Sequence, residues 1–163
     1  MSAQTSYNFS TPLDVAGGIY DLAPHAVDTF LNEEENGVMK FGVAAFAGTN
    51  AGAGIKLPGN SSTAAQFEGI VTNNRTTEYT VDGVVQMKKG AAVGVMRYGR
   101  IYARLATGAT ATYGTAVYVV KTGNEAGFVT NSSEGTIAIK ARFLGKNDTG
   151  KGIALVELFN EAQ

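Results

Sequence analysis

The sequence contains no cysteine and no tryptophan, one histidine, and three prolines in 163 residues. Without cysteine neither a disulfide nor a thiolate metal site can form, so stability has to come from packing or assembly. The single imidazole, His25, cannot by itself supply a His-based triad or a paired-imidazole metal centre. No stretch approaches the roughly 20 apolar residues of a membrane helix, and the leading MSAQTSYNFS holds neither a basic cluster nor an apolar run. These absences predict a soluble chain without secretory signal, cofactor, metal or membrane partner.

What is present favours strands. Twenty-one glycines and abundant threonine accompany a hydrophobic fraction of 44%. That composition suits short strands joined by tight turns in one domain. Strand patterning covers Val38 to Ala47, Phe67 to Thr72, Gly90 to Leu105, Thr115 to Val120, Phe128 to Thr130, Thr136 to Leu144 and Gly152 to Phe159. The separators GTNAGAG, PGNSST, TGN and GKNDTG supply turn chemistry. The expected fold is all-β, a small antiparallel β-barrel or β-sandwich over residues 38–163. Residues 1–37 lack a sustained period and contain Pro12, Gly17, Gly18, Pro24 and Gly37, which predicts an extended N-terminal arm. Within it, His25 to Glu35 allows a turn or two of helix with Val27, Phe30 and Leu31 inward.

The longest element, GAAVGVMRYGRIYARL over 90–105, alternates with period two. Val93, Val95, Ile101, Ala103 and Leu105 fall on one face, and Met96, Tyr98, Arg100, Tyr102 and Arg104 on the other. Tyrosine and arginine are enriched at protein interfaces, so Tyr98, Arg100, Tyr102 and Arg104 are candidate contact residues. Charge adds a second candidate. Residues 1–39 hold Asp14, Asp21, Asp28, Glu33, Glu34 and Glu35 with no Lys or Arg, whereas all 13 basic residues lie from Lys40 onward against 8 acidic ones. An acidic leading segment can lie against its own basic body, a neighbouring copy or a partner, which marks Asp14, Asp21, Asp28 and Glu33.

Catalytic signals are thin. Gly145 to Lys151 has the glycine and lysine spacing of a phosphate-binding loop, but Gly152 follows in place of the magnesium-holding Ser or Thr, and the last residues alternate like a strand. The segment is read as a hairpin loop. Glu33, Glu34 and Glu35 are adjacent carboxylates that point in different directions and are read as a solvated patch. The acidic balance and the lack of a nucleic-acid motif argue against direct nucleic-acid binding.

A weak internal echo relates Phe41–Phe46 to Tyr113–Tyr118, Gly54–Leu57 to Gly127–Thr130, and Phe67–Gly69 to Phe143–Gly145. Two β modules of similar plan are the implied arrangement.

The ordered set Gly18-Ile19-Tyr20-Asp21, Val38-Met39-Lys40-Phe41-Gly42-Val43-Ala44, Ile55-Lys56-Leu57-Pro58 and Phe67-Glu68-Gly69-Ile70-Val71 resembles the structural cement proteins of tailed bacteriophages. Further along, the stretch from Val93 to Tyr102, then Gly114 to Tyr118, Ala141 to Leu144 and Ala154 to Leu158, is similar too. The resemblance implies a homotrimeric decoration protein on the outer surface of the phage head, made in the host cytoplasm and clamping neighbouring major capsid proteins. It implies no catalytic residues. Another β-rich virion component, such as a tail-tube or fibre-associated subunit, is the alternative.

Overall fold

The computed structural model describes residues 15–73, 78–79 and 85–159. Its strands are β1 (Ala26–Asn32), β2 (Ala44–Ala47), β3 (Gly54–Lys56), β4 (Phe67–Val71), β5 (Glu78–Tyr79), β6 (Val85–Gln86), β7 (Ala92–Arg104), β8 (Ala116–Val120), β9 (Val129–Thr130), β10 (Thr136–Asp148) and β11 (Ile153–Leu158). One short 3-10 turn, Ala64–Gln66, precedes β4. The fold is all-β, as the composition requires, and β10 and β11 form the hairpin expected around the 145–151 loop.

Nine strands form one sheet in the order β1-β3-β2-β4-β7-β11-β10-β8-β9, and β1 pairs again with β7. That last pairing closes β1, β3, β2, β4 and the first half of β7 into a five-stranded barrel. Closure removes most of the free strand edge that an open sheet would leave. The second half of β7 continues into β11, β10, β8 and β9, and an isolated parallel bridge from Leu105 to Val129 returns this set to the end of β7. Thus β7 is long because two rings share it.

The two rings repeat one pairing plan. In the first, β1 is parallel to β3 at Asn32–Ile55, and the Glu33 amide donates to the Ile55 carbonyl at 2.9 Å. In the second, the end of β7 meets β9 at Leu105–Val129, and the Ala106 amide donates to the Val129 carbonyl at 2.9 Å. Phe46 pairs with Lys56 on β3 as Tyr118 pairs with Thr130 on β9. Val27 faces Met96 where Arg100 faces Glu157, and Thr29 faces Gly94 where Tyr102 faces Leu155. The first part of the sequence echo therefore occupies equivalent places at Phe46 and Tyr118, and the second is offset by one residue, since Ile55 answers Val129 where the echo sets it against Phe128. The third is displaced, because Phe67 pairs with Phe46 whereas Tyr118 pairs with Ala138 and not with Phe143.

The apolar face expected for β7 is buried, but in two cores. Val93 and Val95 pack with Phe30, Met39, Val43, Ile55 and Val71. Ile101, Ala103 and Leu105 pack with Phe46, Ile70, Val117, Phe143 and Val156. The change of core falls at a bulge: the register with β1 skips Arg97, and Gly99 adopts φ of 122°. A Cβ on Gly99 would stand 2.6 Å from that of His25, so the bend needs glycine twice over.

The helix expected within His25 to Glu35 is replaced by β1. Phe30 and Asn32 point inward while Val27, Thr29 and Leu31 are exposed, a period of two. A helix of one or two turns is marginal by itself, whereas the strand gains backbone partners on β7 and β3, so nonlocal pairing prevails. The stretch at 38–47 narrows to β2, although Met39 and Val43 are buried in the irregular segment before it.

Candidate interaction surface

The row of side chains opposite the apolar face of β7 is partly covered by the chain itself. Residues 17–20 run antiparallel beside β7: the Gly17 amide donates to the Tyr102 carbonyl at 2.7 Å, Tyr102 N to Gly18 O at 3.0 Å, and Tyr20 N to Arg100 O at 3.0 Å. Gly17 makes this approach possible. A Cβ there would lie 2.6 Å from the Asn73 amide nitrogen and 2.8 Å from the Val71 carbonyl oxygen. The Tyr20 ring meets Tyr102 edge-on at 5.9 Å, and Ala16, Tyr20 and Leu144 close over Tyr102, Ile153 and Leu155.

Tyr102 is consequently 2% exposed. An open Tyr and Arg row, expected from the period alone, is not found at this position, because the preceding segment supplies the cover that a partner was expected to give. Arg104 is also drawn in. Its Nε donates to the Phe41 carbonyl at 2.8 Å, its guanidinium lies 5.9 Å from the Phe128 ring centre, and burial lowers its pKa.

Arg100 forms the centre of an ionic ladder. Its Nη1 reaches Asp21 at 2.9 Å and its Nε reaches Glu157 at 3.1 Å, while Arg142 Nη2 holds the other Glu157 oxygen at 2.6 Å. Glu157 stands directly opposite Arg100 on β7 and Arg142 on β10, so three adjacent strands carry alternating charge. Burial pushes the Glu157 carboxyl up, but hydrogen bonds from Arg142 and Arg100 outweigh it and leave the pKa below the usual carboxylate range. Asp28 faces Arg97 at 3.4 Å on an exposed edge, and Asp14 lies outside the described residues. The acidic segment lies, at Asp21 and Asp28, against its own body.

The consecutive glutamates point apart as expected; Glu35 is solvated, whereas Glu33 and Glu34 are half-buried and engaged with backbone amides. Glu33 accepts from the amides of Thr49 at 2.6 Å and Asn50 at 2.9 Å, bonds that lower its pKa. Glu34 accepts from the Leu57 amide at 2.8 Å, and Glu35 pairs with Lys89 at 2.6 Å. Just before them, Asn32 Nδ2 donates to the Lys88 carbonyl at 3.0 Å. Four successive residues thus fasten the β2–β3 loop, the exit from β3 and the approach to β7.

A groove of about 310 Å³ opens at the bulge of β7, lined by Tyr98, Arg100, Pro24, Leu158 and Phe159 among others. Leu22 stands beside it in sequence and is 98% exposed. On the far side of Phe159, the Arg142 guanidinium lies 5.8 Å from the Phe159 ring centre and 5.9 Å from that of Tyr113, itself two-thirds exposed. Of the Tyr and Arg row, the structure brings Tyr98 and Arg100 to this surface. Sequence reasoning missed Tyr113, Arg142, Glu157 and Phe159. The usable signal was the opposite-charge pairing of Arg142 with Glu157, which appears only once the β10–β11 register is known. Among the described residues no three His, Cys, Asp or Glu side chains gather where a metal ion would be held.

The described residues thus define an all-β, barrel-containing protein whose ion pairs fasten its own segments and which presents an aromatic and arginine groove at the bulge of β7. The family model described as structural cement protein (E217 gp24/Pam3 gp6) matches residues 3–159, and the chain belongs to that family. A solved chain from the capsid of Myoviridae phage XM1 has the same fold, with a TM-score of 0.71 at 21% identity over 98% of this chain and 99% of that one. No curated protein matches. The protein is a structural component of the phage capsid with a stabilising role, associated with capsid subunits.

Proposed function

We propose that the protein decorates the outer surface of the assembled phage head as a homotrimer, without catalysis, and adds contacts between neighbouring major capsid subunits. The match of the cement family over residues 3–159 carries this reading. Binding only the assembled shell stabilises it by mass action, with no chemical step. Repetition over many lattice sites makes individually modest contacts effective.

The groove around Tyr98, Arg100, Pro24 and Phe159 is the surface proposed to meet the shell, and the exposed Asp28–Arg97 pair is a second candidate contact. Its composition supports the assignment, since aromatic and Arg anchors dominate interface energetics. Tyr102 and Arg104 act indirectly, by holding the 15–25 segment and the loop at Phe41 that shape this side of the molecule.

The test uses heads lacking the protein, to which the purified chain is added back before heating or osmotic shock. Added protein is expected to raise the temperature of DNA release, and Tyr98→Ala with Phe159→Ala to weaken head binding by at least about tenfold. Heads that gain no resistance at saturating protein would overturn the cement reading. Full binding by the double variant would move the contact elsewhere. Light scattering together with subunit counting on decorated heads tests the trimer.

A further inference from the structure

The repeat of pairing between the rings leaves one position filled in the second ring and open in the first. On β7 the edge at Arg100 and Tyr102 is taken by residues 17–20. Their counterparts in the first ring are Val27 and Thr29 of β1. Along β1, the Asn32 amide donates toward β7, to Ala91 O at 2.9 Å, while Leu31 N reaches Ala53 O at 2.8 Å on the opposite edge. The alternation of an antiparallel strand therefore sends the N–H and C=O groups of Val27 and Thr29 to the edge away from β7. There β3 pairs only with Leu31 and Asn32, and among the described residues Val27 and Thr29 find no backbone partner on that side.

The open edge is only lightly protected: its one charge is Asp28, which is engaged with Arg97, and its one bulge lies at the Ala26–Val27 end. Its outward side chains, Val27 at 40% and Leu31 at 48% exposed with Thr29 between them, include no lysine and no proline. Strand addition to such an edge takes affinity from main-chain hydrogen bonds and selectivity from alternate side chains.

We propose that this edge of β1 accepts, in antiparallel orientation, an extended segment from the N-terminus of a second copy of the chain, centred on Thr5 to Ser10. The proposal deepens the cement reading and rests on it, by naming how neighbouring copies are joined. The equivalent edge is already filled by a near-N-terminal segment of the same chain, running antiparallel. Thr5, Tyr7 and Phe9 alternate with Ser6, Asn8 and Ser10, a strand pattern with residues of high β preference. Five residue steps separate Ser10 from Val15, so at strand rise the docked segment can stand about 17 Å from the barrel it leaves. This stretch has no Lys or Arg and a single acid, Asp14, so no like-charge pairing opposes its docking beside Asp28, which is engaged with Arg97.

Hydrogen exchange of the 26–32 peptide tests it, in dilute protein, in concentrated protein and on decorated heads. The Val27 and Thr29 amides are expected to exchange fast when dilute and at least about tenfold more slowly once copies associate or decorate a head. The slow exchange should vanish in a chain starting at Val15. Thr29→Pro should lower self-association by at least about tenfold while keeping the barrel, because that amide faces away from the β1–β7 ladder. Fast exchange in every state overturns the proposal. So does slow exchange in dilute monomer, which makes the chain its own strand donor, and so does protection that survives removal of residues 1–14, which makes the capsid subunit the donor. Protection in concentrated protein that never binds heads would uphold this inference while removing the cement reading.

Discussion

The period of β7 puts Tyr102 on its outward face, and the fold buries it beneath Ala16 and Tyr20. A large side chain under a peptide segment holds that segment by its area, and truncation leaves a cavity. Tyr102→Ala is expected to cost about 3 kcal/mol in denaturant unfolding, near the lower end for large aromatic deletions in cores. Glu157 works through charge. Its carboxyl titrates below the ordinary value of 4.5 in the folded chain, so the unfolded chain takes up the proton first and acid favours unfolding. The stabilisation is complete above the unfolded value and is lost as pH falls through the folded one. Melting temperature should therefore decline from about pH 5 downward, and Glu157→Gln should show a lower plateau at neutral pH with a shallower acid decline. A decline of equal steepness in the variant would remove Glu157 from the account. Glu33 adds to the same window, since the Asn50 and Thr49 amides lower its pKa as well.

At the scale of elements, the segment from Val15 to Pro24 behaves as an added strand on β7. It is held by three backbone hydrogen bonds to β7 at Gly17, Gly18 and Tyr20, by a fourth from the Asn73 amide to the Gly17 carbonyl, and by the Asp21–Arg100 pair. Gly17 has φ of 79° and backbone atoms inside 3 Å of any Cβ, so Gly17→Ala is expected to undock this segment while both rings persist. The reporter is the Tyr102 amide, which donates to Gly18 O and should change from slow to fast exchange while Ile101, facing β11, stays protected. Loss of protection at both amides would show that the segment and the barrels unfold as one unit. Lys146, whose Nζ reaches the Tyr20 hydroxyl at 2.6 Å, ties the same segment to the β10–β11 hairpin. The glycine-rich loop that superficially resembled a phosphate cradle thus borders a structural clasp.

For the whole molecule, the separation of an arm at 1–37 from a body at 38–163 has a direct test in limited proteolysis. β1 is hydrogen-bonded inside the first barrel, and residues 17–20 are hydrogen-bonded to the second half of β7. Protease is expected to leave residues 16–37 attached to the body. A stable fragment beginning near Val38 would show that β1 can be removed from the barrel and would bear out the boundary between residues 37 and 38. The fold is also rich in contacts between residues distant in sequence, because β1 and β11 both pair with β7. Such topologies fold slowly relative to helical proteins of similar length, and their exposed intermediates favour association.

The sequence by itself determined the class of fold, most strand positions, the hairpin at 145–152, and the membership suggested by the ordered Gly-punctuated strands. Those features are local: period, turn residues and motif order are written in neighbouring positions. Only the tertiary structure decided that β7 serves two cores, that His25 to Glu35 is chiefly strand, that Asn32 to Glu35 fasten three separate segments, and that Tyr102 is covered by its own chain. Each depends on which strand lies beside which. A period of two assigns side chains to opposite faces but does not say what covers either face, and a carboxylate in sequence carries no record of the amides that will surround it. The same physics explains why Tyr98 and Arg100 remain at an accessible groove while Tyr102 and Arg104, four residues along the same strand, do not. The bulge at Arg97 and Gly99 turns β7 from one ring to the other, and the segment at Gly17 to Asp21 pairs with only the second half of β7.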